Sequence, residues 1–224
     1  MAQLTNLSLL ETRVLGVLIE KQHTVPDTYP LSLNALVGGC NQKSSRDPVL
    51  NASEAEVQAV IDHLKTLSLV MEGSGSRVTR YEHNLGRVLQ LPSQSVALLA
   101  ILMLRGAQTP GELRINCERL HKFSDLSSVE VFLHELAERP AAALVTELPR
   151  RPGSRENRWA HLLSGAPAAE AATTAVVSEA TGGEITMSEL AALKANVARL
   201  DDEVAELTAT VAKLCAELGV SKAS

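Results

Sequence analysis

The residues of this 224-residue sequence best suited to chemistry by type and spacing are eight cations set in or beside turns and loops. Arg150, Arg151, Arg155 and Arg158 gather on and beside the stretch RRPGSRE (150–156), against Glu147 and Glu156. Arg77 and Arg80 sit on and after a second turn, GSGSR (73–77). Lys43 and Arg46 lie in the polar loop CNQKSSRDPVLNAS (40–53), where backbone amides could join them in holding a phosphate. Cations at such turns suit sequence-tolerant contacts to phosphate oxygens. The plainer alternative is that charged turns are solvated hairpins. In the loop, Asp47 beside Arg46 could simply tie the chain with local hydrogen bonds, together with Asn41, Gln42, Ser44 and Ser45.

Other chemistries find less to work with. The three cysteines, Cys40, Cys117 and Cys215, include no C-x-x-C pair, which argues against a zinc cluster or a disulfide framework and for reduced structural thiols. The six histidines (His23, His63, His83, His121, His134, His161) are scattered, with no two on one helical face at metal-binding spacing. GSGSR lacks the Lys and the strand-to-helix setting of a phosphate-binding P-loop, and neither G-x-S-x-G nor H-E-x-x-H occurs. No catalytic residue, metal or cofactor is therefore expected, and the protein reads as a non-enzyme. Aromatic residues make up 2%, too few for a platform that stacks bases.

The elements that position these residues fall into two similar halves. In the first, Leu7, Leu10, Val14, Leu15, Leu18 and Ile19 recur at helical spacing and predict a helix over 7–22. Pro26 and Pro30 punctuate the next loop, and residues 31–40 form a shorter helix ended by Gly38 and Gly39. Ser53 with Glu56 makes a capping box for a third helix, whose buried stripe is Val57, Val60, Ile61 and Leu64. Residues 69–71 and 78–81 are two strands joined by GSGSR. The second half repeats the order. Val96, Leu99 and Met103 mark its first helix; Thr109, Pro110 and Glu112 cap its second; Ser127 or Ser128 opens its third, with Val129, Phe132, Leu133 and Leu136 inward and Pro140 as the stop. Strands over 143–147 and 157–162 flank RRPGSRE, and Trp159 and His161 on the last strand are expected to pack between the halves or under the hairpin that these strands form.

Three helices closed by a hairpin, twice, is the plan of tandem winged-helix domains. The expected fold class is α+β, mainly α, with domains at 1–90 and 91–164. Residues 165–184, rich in Ala, Thr, Gly and Ser, read as a linker. Residues 185–219 read as a coiled-coil helix. Leu190, Leu193, Val197, Leu200, Val204, Leu207, Val211, Leu214 and Leu218 step by three and four, with Val at the central a positions and Leu at d, which favours a parallel two-stranded coil. At about 1.5 Å per residue it would run on the order of 40 Å. Glu189 and Lys194 fall at g and e, where they could pair across a homodimer, although the same stripe could fold back on its own chain.

The formal net charge is −5. Residues 1–90 carry eight Lys/Arg against nine Asp/Glu, residues 91–164 nine against eight, and the last sixty residues four against nine. The acidic excess thus sits in the C-terminal segment, and the body lacks the broad basic footprint of an avid nucleic-acid binder. No apolar run approaches the roughly 20 residues that span a bilayer. The start, MAQLTNLSLLETR, lacks the form of a signal peptide, so the expected compartment is the cytoplasm, without membrane attachment.

Five stretches carry a family resemblance: CNQKSSRDPV (40–49), RGAQTPGELR (105–114), PGSRENRWAHLLSG (152–165), YPLSLNAL (29–36) and SRVTRYEHNL (76–85). They resemble the YceH-type family of uncharacterised bacterial proteins, over nearly the whole chain. The resemblance implies two winged-helix domains and a C-terminal coiled-coil helix, and no activity. The sequence departs from that pattern after GELR, where INCERLHKF (115–123) replaces a more basic stretch.

A winged-helix domain places its third helix in the major groove and its wing against phosphates or the minor groove. The outward face of the first third helix shows Ala55, Ala59, Asp62 and Thr66, flanked by Gln58 and His63. The second shows Val131, His134 and Glu138, flanked by Glu130 and Glu135. Carboxylates aimed at a polyanion repel it, so base readout by these helices is opposed. The expectation is a dimeric, DNA-associated regulatory or architectural protein that contacts double-stranded DNA through its wings. The alternative is a scaffold whose winged-helix modules dock a protein partner.

Overall fold

The computed structural model describes residues 6–73, 78–150 and 156–166. These residues form an α+β unit with seven α-helices and small antiparallel sheets. Helix α1 (Leu9–Thr24) starts from Ser8, whose side chain accepts from the Glu11 amide while Glu11 reaches back to the Ser8 amide. The helix therefore begins two residues later than the apolar spacing alone suggests, because Leu7 is taken by a bond from its amide to the Leu163 carbonyl, 2.7 Å. A 3₁₀ turn (Pro26–Thr28) leads to a two-residue strand β1 (Leu31–Ser32) and helix α2 (Leu33–Cys40). The expected start at residue 31 is overridden because Leu31 and Ser32 pair with strand β3. Helix α3 (Glu54–Thr66) begins at the expected Ser53–Glu56 capping box.

Strands β2 (Val70–Gly73) and β3 (Arg80–His83) close the first half as a hairpin, and the sheet order is β1-β3-β2. A short helix, α4 (Leu85–Leu89), follows without having been expected from the sequence. Helices α5 (Ser93–Arg105), α6 (Pro110–Asn116) and α7 (Leu126–Ala137) and strands β4 (Val145–Leu148) and β5 (Arg158–His161) make the second half. Thr109 and Glu112 form the expected box on α6. Helix α7 is capped by Asp125 rather than by Ser127 or Ser128, because the Asp125 carboxylate accepts from the Ser128 amide at 2.7 Å. The fold also brings Gln108, between α5 and α6, into a single antiparallel bridge with Trp159 on β5. Gln108 thus does in the second half what β1 does in the first.

Helices α1 and α5 join the halves. Residues Glu11–Ile19 of α1 and Ser95–Leu104 of α5 are all buried, the state of a helix covered on every side. A Cβ on Gly16 would sit 2.8 Å from Leu104 Cγ, so the absence of a side chain lets α1 approach α5 this closely. The apolar core runs unbroken from Leu7 through both helices to Leu163. Among the described residues no helix is long and apolar enough to cross a membrane.

Candidate nucleic-acid interface

The polar loop after α2 is anchored from beneath by two buried guanidiniums. Arg13, in the middle of α1, donates from Nη1 to the Cys40 carbonyl (3.1 Å) and from Nη2 to the Pro48 carbonyl (2.7 Å). Arg46 points inward from the loop, its side chain 0% exposed. It donates to both carboxylate oxygens of Glu20 (3.2 and 2.6 Å), to Gln42 Oε1 (2.6 Å) and to the Gly39 carbonyl (3.1 Å). Lys21 reaches the same Gln42 oxygen at 3.3 Å. Burial alone would push the Glu20 carboxyl up. The hydrogen bonds and charge of Arg46, helped by Lys21, outweigh burial and hold it below the ordinary carboxylate value. Arg46 is therefore an internal tie between the loop and α1, and its guanidinium does not face solvent. Lys43 does face solvent, and among the described residues it has no hydrogen bond or ion pair.

The two hairpins match residue for residue. Arg80-Tyr81-Glu82-His83 on β3 corresponds to Arg158-Trp159-Ala160-His161 on β5, and Glu72 and Glu147 lie opposite the aromatic residue in each. Arg80 is half-buried and donates to the Thr28 and Pro30 carbonyls (3.2 and 2.8 Å), fastening β3 to the turn before β1. Arg158 is buried. Arg150 is exposed at the second hairpin; its Nε donates to Asn157 Oδ1 (3.1 Å), and Asn157 donates in turn to Glu147 (2.7 Å). Arg77, Arg151 and Arg155 lie outside the described residues, as do the nine heptad residues from Leu190 to Leu218. Of the eight cations, the fold thus exposes Lys43 and Arg150, partly exposes Arg80, and turns Arg46 and Arg158 inward. Sequence reasoning missed the burial of Arg46 because its partner Glu20 lies 26 residues away. The repeated Arg-aromatic-x-His string was a signal that could have marked Arg158 as the structural twin of Arg80.

Comparison with known proteins places this chain in a family. Residues 7–154 match a family model described as "Protein of unknown function, DUF480". A UPF0502 protein of Burkholderia orbicola (strain MC0-3) is 59% identical over 220 residues, covering 97% of this chain and 91% of the relative. A UPF0502 protein of Dechloromonas aromatica (strain RCB) is 62% identical over 203 residues, covering 91% of this chain and 93% of the relative. The chain belongs to the UPF0502 family. This is the uncharacterised bacterial family of YceH type that the sequence motifs resemble.

In this UPF0502 chain the third helix of each half faces outward with carboxylates. Helix α3 exposes Glu54, Glu56 and Asp62 beside Ala55, Ala59, His63 and Thr66. Helix α7 exposes Glu135 beside Leu126, Val131 and His134, and Glu138 follows at its end. The open groove between α2, α3 and the first hairpin, about 400 Å³, offers hydroxyls, amides and one carboxylate: Ser32, Asn34, Glu54, Gln58, Thr79 and Tyr81. None of these groups is a cation.

The thiols and imidazoles of this UPF0502 chain are built into its packing. Burial pushes the Cys40 and Cys117 thiols up to about 12, which keeps them protonated. Trp159 on β5 packs edge-on against His134 of α7, ring centres 5.2 Å apart. Burial lowers both His83 and His161 to about 4, and the Nδ1 of each is enclosed without a partner. His83 Nε2 lies 2.8 Å from Gln22 Oε1, so the neutral ring carries its proton there. Among the described residues, no group of three or more His, Cys, Asp or Glu side chains is arranged to hold a metal ion.

Proposed function

We propose that the protein is a non-enzymatic, DNA-associated regulatory or architectural protein of the cytoplasm. It is built from two winged-helix units and contacts phosphates through its hairpin wings. The observation that supports this reading is the repeated element order. In each half an extended segment between the first and second helix pairs with the last strand of a hairpin that follows the third helix: β1 with β3, and Gln108 with Trp159. The wings carry the cations: Arg77 and Arg80 on the first, Arg150, Arg151 and Arg155 on the second. The carboxylates of α3 and α7 argue against base readout, so the binding is sequence-tolerant and moderate in strength. The heptad residues 190–218 form a homodimeric coil that doubles the phosphate contacts.

The experiment is replacement of Arg150, Arg151 and Arg155 together by Ala. Duplex binding should weaken for all sequences alike, and the salt slope should flatten by up to about three units. Unchanged binding would remove the wings from the interface. A second reading, a scaffold that docks a protein partner, is favoured by one specific observation. Val131 on α7 is 55% exposed and Leu126 38%, apolar positions beside carboxylates where a DNA-reading helix carries cations and amides.

A further inference from the structure

The loop between α2 and α3 carries a charge that its own sequence conceals. Arg13 and Arg46 lie buried beneath it, and Glu20 is the sole carboxylate that pairs with either at ion-pair distance among the described residues. Arg13 Nε has no acceptor. Above them, Lys43 stands exposed, and Arg105 at the end of α5 reaches across from the second half to donate to Ser45 Oγ, 2.7 Å. Lys21 is joined through Gln42. Arg46 and Lys21 share Glu20 as their carboxylate, so the cations of the group outnumber the acids that pair with them. Arg46 is offset by Glu20, whereas Arg13 is bonded to carbonyls alone, and the interactions of such a buried charge are screened by salt less than those of an exposed one.

The loop surface suits that charge. The backbone N–H groups of residues 42–46 donate to no acceptor among the described residues. Ser45 adopts a left-handed conformation (φ 60°), one of the backbone conformations from which amide nests that bind anions are built. The hydroxyls of Ser44 and Ser45 are exposed beside them. The loop does not drift, because the Asp47 amide is held by the Leu104 carbonyl (2.8 Å) and Asn41 is bonded in both directions to Ala52 (2.8 Å each).

We propose that this loop is an oxyanion site that takes a phosphate group, held by Lys43 and the amides of residues 43–46 with Arg105 at the edge. The site is separate from the wings and does not depend on them. A phosphate group could come from a free phosphorylated small molecule or from a nucleic-acid backbone; the chemistry at the loop is the same.

The test is an amide-resolved NMR titration of the full chain with inorganic phosphate, ionic strength being kept constant with sodium chloride. Expected are saturable shifts at the amides of residues 43–46, with a Kd on the order of millimolar, weakened at least about fivefold by Lys43→Ala and by Arg105→Ala. Lys43 is exposed and unpaired among the described residues, so its replacement leaves the fold intact. The Arg150/Arg151/Arg155 variant should bind phosphate as the parent does, which separates this site from the wing reading. A short duplex that shifts the same amides and competes with phosphate assigns the site to nucleic acid. A duplex that leaves them unmoved assigns it to a free phosphorylated ligand. Linear shifts that never saturate, or an affinity indifferent to Lys43→Ala, would overturn the proposal.

Discussion

Arg46 carries a formal charge in a loop, and its guanidinium nevertheless spends every close contact inside the protein. The pair it makes with Glu20 is one-sided in consequence, because removing the carboxylate leaves a buried charge with only neutral acceptors. Glu20→Ala should cost about 3 kcal/mol, a fall of roughly 6–12 °C in Tm, measured by calorimetry at pH 7. A change of less than one degree would mean the pair has no such role. His83 and His161 set the acid limit. Each is held neutral in the fold, at about 4, against an ordinary value of 6.5. The unfolded chain therefore binds more protons between those values, and stability falls as pH drops from about 6.5 towards 4. Glu11 and Glu20, both lowered below 4.5, add their own loss at more acid pH. In a pH series of melting curves, His161→Gln should flatten the upper part of that decline; a parallel curve would locate the sensitivity elsewhere.

At the scale of elements, local signals and distant pairings separate cleanly. The boxes at Ser53–Glu56 and Thr109–Glu112 were legible because a cap acts within one turn of its helix. Both hairpins were legible from apolar strands around the turn sequences GSGSR and RRPGSRE, each strand displaced by one or two residues. Strand β1 was not, since two residues become a strand only through Tyr81 and Arg80, about fifty positions on. Asp125 displaced the expected serines as the cap of α7 because its extended backbone lets the carboxylate reach the Ser128 amide. Of the candidate site, the exposed cation at Lys43 was legible, and the inward turn of Arg46 was not. Neither was the role of α1 as a helix buried on all sides, since its apolar spacing marks a single stripe while Glu11, Thr12 and Arg13 are covered by the rest of the chain. Gly16 marks where α1 meets α5. Gly16→Val would drive its branched side chain into Leu104 and should destabilise by about 1–3 kcal/mol, read as a lower denaturant midpoint with unchanged slope. A stabilised variant would show that the crossing has room to spare.

For the whole molecule, the described residues form one core, and the heptad segment is proposed to be the part that associates. Removing residues 184–224 should convert a dimer to a monomer by light scattering, and an unchanged mass would place the contact elsewhere. Association matters to the wing reading because a neutral body gives each wing little electrostatic help, and two copies double the phosphates neutralised. The most direct measurement is therefore a salt titration of the purified full-length protein against a labelled duplex of random sequence. The expected result is binding in the micromolar range that weakens steeply and log-linearly as salt rises. Absence of binding even at low salt would contradict it and leave docking of a protein partner as the reading to pursue.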